Sequence, residues 1–393
     1  VKTMKIPITK PYFDEEEKRL VNEVIDRGWV VQGPNVAEFE RKFAEYSGVT
    51  FGLATTSCTT ALHLALLALG IGAGDEVIAP AFSFVATANS VEYQSAKPVF
   101  VDVDLQTFNM DVSQLEEKIT PRTKAIMPVA LFGLSADMNP ILEIARKHNL
   151  KVVEDAACGI GAWYHGKHAG TMSDFGAVSF HPRKAITTGE GGMVLTSDAE
   201  AAALIRSLRD HGATASDLQR HHQQRSFLLP EYPRVGYNYR MTDLQGAMGV
   251  AQMGKLEYIL ERRRELARYY DQALAGVPQL RTPRVPDGYL HGYQSYVCLF
   301  VPEEPRMANV DRLHEMRNTL MAALEDKGIA TRQGTQAIHI QNFYREKYGY
   351  QPSDYPQTYI ADRLTLTLPL YPQMTPEEQA YVVEHLKQEL SRL

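Results

Sequence analysis

The chain has 393 residues, 44% of them hydrophobic and 22% charged, and at roughly 100–200 residues per domain that length fits two or three packed units with a sizeable core. Lys plus Arg number 41 against 47 Asp plus Glu, a formal net charge of -6, so no basic field exists to hold a phosphate polymer and nucleic acid is not an expected partner. The apolar stretch from Thr60 to Ile71 carries His63 and falls short of the about 20 residues that a bilayer crossing needs. The opening VKTMKIPITKPYF holds no apolar signal region, so a cytoplasmic protein without membrane contact is expected. Cys58, Cys158 and Cys298 are widely spaced and odd in number, which argues against a disulfide framework and a CxxC metal clip.

In chain order, β-rich runs alternate with helical segments between Phe51 and Ser197. FGLATTS is followed by TTALHLALLALG, where Leu62, Ala65, Leu66 and Leu69 recur at helical spacing and Gly70 supplies a stop. EVIAP, the helix-like TANSVEYQSA, PVFVDVD, a helical VSQLEEKI, AIMPVALFG, a helical NPILEIARKHN, KVVEDAA, FGAVSFH and GGMVLTS complete the series. This alternation predicts an α/β fold with an open, mainly parallel sheet covered on both faces, whose ligands lie beyond the carboxyl ends of the strands. Residues 211–234 read as a polar loop. Thr242-Asp243-Leu244-Gln245 then forms a capping box that opens a long helix through about Gln272. Within it, the charge-dense ERRRELAR of Glu261–Arg268 reads as a solvated face or a hinge between domains. Beyond Gly276, a strand at Tyr296–Val301, a helix at Asp311–Lys327, a strand at Leu364–Leu368 and a final helix from about Pro376 describe a smaller α+β unit. The expected division is 1–264 and 265–393.

Chemistry concentrates at two of these strand ends. Asp155 closes KVVED, where a half-buried carboxylate wants a cation, although it would equally serve as a helix cap. Ser179, His181 and Lys184 follow FGAVSF, and Lys184 is boxed between Pro182 and the Gly189-Glu190-Gly191-Gly192 turn. Desolvation makes such an amine a nucleophile toward aldehydes. A carboxylate at one strand end and a lysine beyond another are what pyridoxal 5'-phosphate requires, to protonate its ring nitrogen and to bind its aldehyde. Thr55 to Thr60 (TTSCTT) offers hydroxyls before a helix for the phosphate, or merely an N-cap.

The segments GPNVAEFERKFAEY, TTSCTTALHLAL, GDEVIAPAFSFVATANSV, PVFVDVD, VVEDAACGIGA, SFHPRKAITTGEGGMV, YNYRMTDLQGAMG and TLPLYPQMT together resemble the pyridoxal-phosphate-dependent nucleotide-sugar aminotransferases of the DegT/StrS group, which have the fold type I aminotransferase fold. That resemblance implies a large domain with a mainly parallel seven-stranded sheet plus a small C-terminal domain. It implies that Lys184 binds the cofactor and shuttles protons, that Asp155 partners the pyridine nitrogen, that Phe84 stacks on the ring, and that Thr59 and Ser179 hold the phosphate. His181 and His339 would meet the substrate, while Asn238 and Arg240 would reach into a neighbouring subunit's site, making a homodimer with shared active sites. Cys158 stands where the family usually has glutamine or histidine near the ring hydroxyl, and Cys58 where it usually has glycine before the phosphate threonine. A thiol is a weak donor at either place. The implied reaction moves an amino group from glutamate to a keto sugar linked to a nucleotide, and TTGEGG with SFHP is more similar to members acting at carbon 4 of 4-keto-6-deoxy sugars than at carbon 3. Arg183, Arg240 and the loop Arg220 to Arg225 are candidates to face a diphosphate.

Other classes fit less well. Gly159-Ile160-Gly161 has its next glycine at Gly166, which is the wrong spacing for a dinucleotide loop. Cys298 alternates within a strand pattern and reads as core, not as a desulfurase nucleophile. No HExxH is present for zinc. A non-catalytic cofactor-binding regulator is the remaining alternative.

Overall fold

Long apolar runs become buried strands. The computed structural model describes residues 4–216, 218 and 229–393, with strands β1 (Phe51–Thr55), β2 (Glu76–Pro80), β3 (Phe82–Ser83), β4 (Lys97–Val101), β5 (Thr123–Ile126), β6 (Lys151–Asp155), β7 (Trp163–Tyr164), β8 (Lys167–His168), β9 (Phe175–Ser179) and β10 (Gly192–Thr196). Those beyond are β11 (Leu280–Arg281), β12 (Tyr289–Leu290), β13 (Tyr296–Phe300), β14 (Gln336–Ala337) and β15 (Thr365–Leu368). Seven of them form one sheet in the order β1-β10-β9-β6-β5-β2-β4, in which β10 alone runs against its neighbours. Every residue of β2, β9 and β10 is buried, as strands covered on both faces require.

The helix Cys58–Ala68 packs against β9 and β10. It is apolar nearly all round because helices Ala86–Glu92 and Ala199–Leu208 cover its outer side. Ser57 starts it: its hydroxyl accepts from the Thr60 amide at 3.2 Å, and Thr60 Oγ1 accepts from the Ser57 amide at 3.1 Å. Gly70 ends it at φ 72°, where a glycine avoids the steric cost of a left-handed backbone. Each Leu in this core contributes about 1.5–3 kcal/mol by leaving water.

A second core forms around the antiparallel sheet β11-β13-β15, with Cys298 fully buried in β13. One helix, Leu256–Leu274, serves both cores: Leu256, Ile259 and Leu260 pack with Phe39 and Phe180, while Leu266, Tyr270 and Leu274 pack with Tyr296 and Leu386. Ile6 joins the second core, bonded through its backbone to Gly328 and Ala330. The three-stranded sheet β12-β7-β8 and the pair β14-β3 stitch later segments onto short strands that lie outside the seven-stranded sheet.

Three expectations change. VSQLEEKI forms two single 3₁₀ turns, Val112–Gln114 and Glu116–Lys118, because only Leu115 of the segment is deeply buried and too little apolar face exists to hold a full helix. The capping box at Thr242 and Gln245 is present, but its helix stops at Met253 and a second begins at Leu256, with Gly254 and Lys255 between them. ERRRELAR is not simply solvated: Arg263 is 1% exposed. The basic loop Arg220 to Arg225 lies outside the described residues.

Candidate active site

The sheet delivers its chemistry to one edge. β6 and β9 are parallel neighbours, with Asp155 opposite Ala177, so Asp155 and the turn after Ser179 emerge side by side. A cavity of about 600 Å³ opens there, lined by Cys58, Thr59, Phe84, Asp155, Cys158, Ser179, His181 and Lys184. The sequence had singled out all eight, and the fold brings them together from four separate segments.

Asp155 is 4% exposed. Its carboxylate accepts from Thr87 Oγ1 at 2.7 Å and from the Ala157 amide at 3.1 Å, and Thr87 Oγ1 lies 2.8 Å from Ser83 Oγ. Burial pushes its carboxyl above the usual range, opposed by the Thr87 hydroxyl, the Ala157 amide and the nearby charge of Lys184. A buried carboxylate of this kind gains from a cation placed against it. Lys184 is half-buried and its Nζ donates to Cys158 Sγ at 3.1 Å. The turn that carries it closes through a bond from the Lys184 amide to the His181 carbonyl at 2.8 Å, while His181 Nδ1 accepts from the Arg183 amide at 3.2 Å. Burial, then the charge of Arg183, hold the His181 imidazole below its ordinary pKa. Cys58 is nearly buried and its thiol is pushed up by desolvation.

The phosphate end is equally specific. Among the described residues no acceptor meets the amides of Cys58 and Thr59, the first two of the helix Cys58–Ala68, whose dipole favours an anion. Gly192 lets this helix start approach β10. A Cβ there would lie 2.3 Å from the Ser57 carbonyl carbon and 2.4 Å from the Cys58 amide, so the last glycine of GEGG is a steric requirement of the site. Ser179 is buried and its Oγ faces the His181 amide at 3.4 Å. Phe84 is 58% exposed, with a flat face free for a ring. A buried carboxylate, an amine and an amide-rich helix start fit pyridoxal 5'-phosphate at its three polar ends.

The other candidates stand elsewhere. Asn238 is exposed and Arg240 pairs with Asp210 at 2.5 Å; neither lines the cavity. His339 is fully buried, edge-on to Tyr355 with centroids 4.9 Å apart. It does not line the cavity, and burial lowers its pKa to about 4. The opposite wall was missed by sequence reading: Gln294, Ser295, Arg332 to Gln336 and Thr367. These residues are scattered over 74 positions of chain, and only the pairing of β14 with β3 and the isolated bridge between Arg332 and Thr367 collects them. Gly159-Ile160-Gly161 forms a tight turn ahead of β7, with no helix to receive a dinucleotide.

The DegT/DnrJ/EryC1/StrS aminotransferase family matches residues 11–387. The chain belongs to this family. It is 48% identical over 272 residues to the GDP-perosamine synthase of Caulobacter vibrioides, covering 69% of this chain and 70% of the relative. Among solved structures it superposes on Spr1654 from Streptococcus pneumoniae in its PLP form, with a TM-score of 0.90, 27% identity and 99% of each chain covered. It also superposes on DesV from S. venezuelae with a TM-score of 0.87 and 29% identity over 100% of both. The protein is therefore a pyridoxal-phosphate-dependent sugar aminotransferase with the α/β fold of its class. Among the described residues no helix is long and apolar enough to cross a membrane.

Proposed function

We propose that this enzyme transfers an amino group from glutamate to carbon 4 of a 4-keto-6-deoxy sugar linked to a nucleotide. The reading rests on Lys184 and Asp155 meeting in one cavity from adjacent parallel strands. The likeness to a synthase of a GDP-linked sugar and the TTGEGG and SFHP segments support the choice of substrate.

The cofactor, when bound, supplies an aldehyde that carries the amino group and a ring that spreads the electron pair left at carbon. Lys184 Nζ holds that aldehyde between turnovers. Once free, Nζ moves a proton off the donor α-carbon and, in the second half of the reaction, supplies one to the sugar carbon. Asp155 holds the proton on the ring nitrogen, with Thr87 and the Ala157 amide fixing its carboxylate. The amides of Cys58 and Thr59, with the Thr59 and Ser179 hydroxyls, bind the phosphate. Phe84 covers the ring face. Cys158 keeps a sulfur beside Lys184 where a stronger donor is usual. Arg183 and Arg332, which have no carboxylate partner among the described residues, meet substrate anions.

Asn238 and Arg240 complete the cavity of a second copy, so the working unit is a homodimer. We take it to act in the cytoplasm, whose reducing conditions suit three free thiols. Borohydride treatment of the holoenzyme followed by peptide mapping should label Lys184; a label elsewhere overturns the assignment. Incubation with glutamate and a panel of 4-keto and 3-keto nucleotide sugars, with mass detection, should yield amination of the 4-keto set. Mixing inactive Lys184→Ala and Arg240→Ala chains should restore activity in heterodimers; mixtures that stay inactive reject the shared site.

A further inference from the structure

The helix Leu256–Leu274 buries a guanidinium that no carboxylate among the described residues meets. Arg263 is 1% exposed, and its Nη1 donates to two successive peptide carbonyls, those of Tyr293 at 3.1 Å and Gln294 at 3.2 Å. Beside it Arg264 donates to the His291 carbonyl at 3.3 Å and to the Gly161 carbonyl at 3.0 Å. Adjacent arginines on one helix thus grip the loop 291–294. Burying an unpaired cation is costly, and a helix that needed only packing at this position would carry leucine.

The gripped loop is strained and tightly seated. Tyr293 has φ 46°, and a Cβ on Gly133 would lie 2.7 Å from the amides of both Tyr293 and Gln294. What the loop presents to the cavity is Gln294, whose amide bonds at both ends: Nε2 donates to the Arg183 carbonyl at 2.9 Å, and Oε1 accepts from Ser295 Oγ at 3.0 Å. Arg183 immediately precedes Lys184. A continuous path therefore runs from the Arg263 guanidinium through the Gln294 peptide and side chain to the turn that carries the reactive amine.

We propose that Arg263 is a positioning residue which, through Gln294, holds the 181–184 turn and so sets the direction of Lys184 Nζ. This rests on the assignment of Lys184 above. With the loop released, Gln294 no longer anchors the Arg183 carbonyl, the turn gains freedom, and the amine spends less time aligned with the carbon it must deprotonate; misplacement by about 1 Å costs roughly 10²-fold in rate.

The test uses holoenzyme of the wild type, Arg263→Lys, Gln294→Leu and the double variant. Gln294 is only half-buried, so its variant tests the path even if Arg263→Lys folds poorly. Three readings are taken: the pH midpoint of the visible absorbance of the Lys184-bound cofactor without substrate, the rate of spectral conversion by glutamate, and the thermal midpoint. Both single variants should move the absorbance midpoint in the same direction and slow conversion about 10–100-fold. The double variant should be no slower than Gln294→Leu, since both act through one link. Variants that melt earlier but keep the wild-type midpoint and rate overturn the proposal, as do effects that multiply in the double variant. If borohydride leaves Lys184 of the wild type unlabelled, the assignment itself fails and the proposal falls with it; a labelled wild type with unmoved variants rejects the path alone.

Discussion

The two walls of the cavity are built differently. The sheet wall carries Asp155, Ser179 and the helix start at Cys58 on strand ends and a helix terminus, with Asp155 held by two hydrogen bonds. The facing wall, with Gln294, Arg332 and Gln333, comes from connecting segments whose polar groups are half-exposed or exposed. Rigid elements hold groups to within fractions of an ångström, and loops adapt to what they meet. The first wall suits a cofactor that never changes, the second a substrate that differs between relatives.

Substitutions on the two walls should separate accordingly. Lys184→Ala, on the sheet wall, should lower kcat by at least about 10⁴-fold, the upper end for a group that transfers the proton; glutamate should fail to change the spectrum while the fold persists. Substantial residual turnover would break the comparison at its root. Asp155→Asn keeps the shape and loses the charge, and should cost about 10²–10³-fold in kcat with little change in KM, as removing one fixed electrostatic group does. On the facing wall, Arg332→Ala should instead raise the KM of one substrate roughly 10–100-fold, the worth of a charge-assisted hydrogen bond, and leave the spectral half-reaction rate at saturation near that of the wild type. A kcat effect of Arg332→Ala would merge the two walls into one; Gln294 alone is expected to act on rate from the facing wall, because its side chain is tied to the Arg183 carbonyl.

The smallest effect lies outside both walls. His168 and His339 are buried, and desolvation lowers each to about 4 from 6.5. The unfolded chain then binds more protons than the folded one between those values, so stability is full above about pH 6.5 and falls as pH drops toward 4, by on the order of 1–2 kcal/mol per histidine near pH 5. Melting followed from about pH 5 to 7.5 should show this slope. His339→Phe should lessen it, leaving the share of His168, while the KM for the keto sugar stays unchanged; a changed KM would return His339 to the substrate wall.

The sheet wall was legible in the sequence because its residues sit next to strong local signals. Asp155 ends an apolar run, Lys184 follows one, and Gly192 belongs to a turn whose crowding only the fold explains. Thr87, which fixes Asp155, lay inside a segment of the resemblance, yet its role depends on a contact across 68 residues. Arg332 and Gln294 have no local signal at all. Neither periodicity nor spacing distinguishes them from ordinary loop residues, and the bridge to Thr367 that places Arg332 is a tertiary event. Arg263 was misread for the opposite reason: charge density implies solvent, and nothing local says that Arg263 and its neighbour Arg264 turn inward to peptide carbonyls.

The helix Leu256–Leu274 contributes side chains to both apolar centres on a single unbroken rod. Loss of order in either centre removes the partner of half that rod, so the two should melt together as one cooperative transition and not in sequence. A piece cut at 264/265 would sever the shared element and leave each fragment with an unsealed apolar surface. Calorimetry of the whole chain should accordingly give one endotherm.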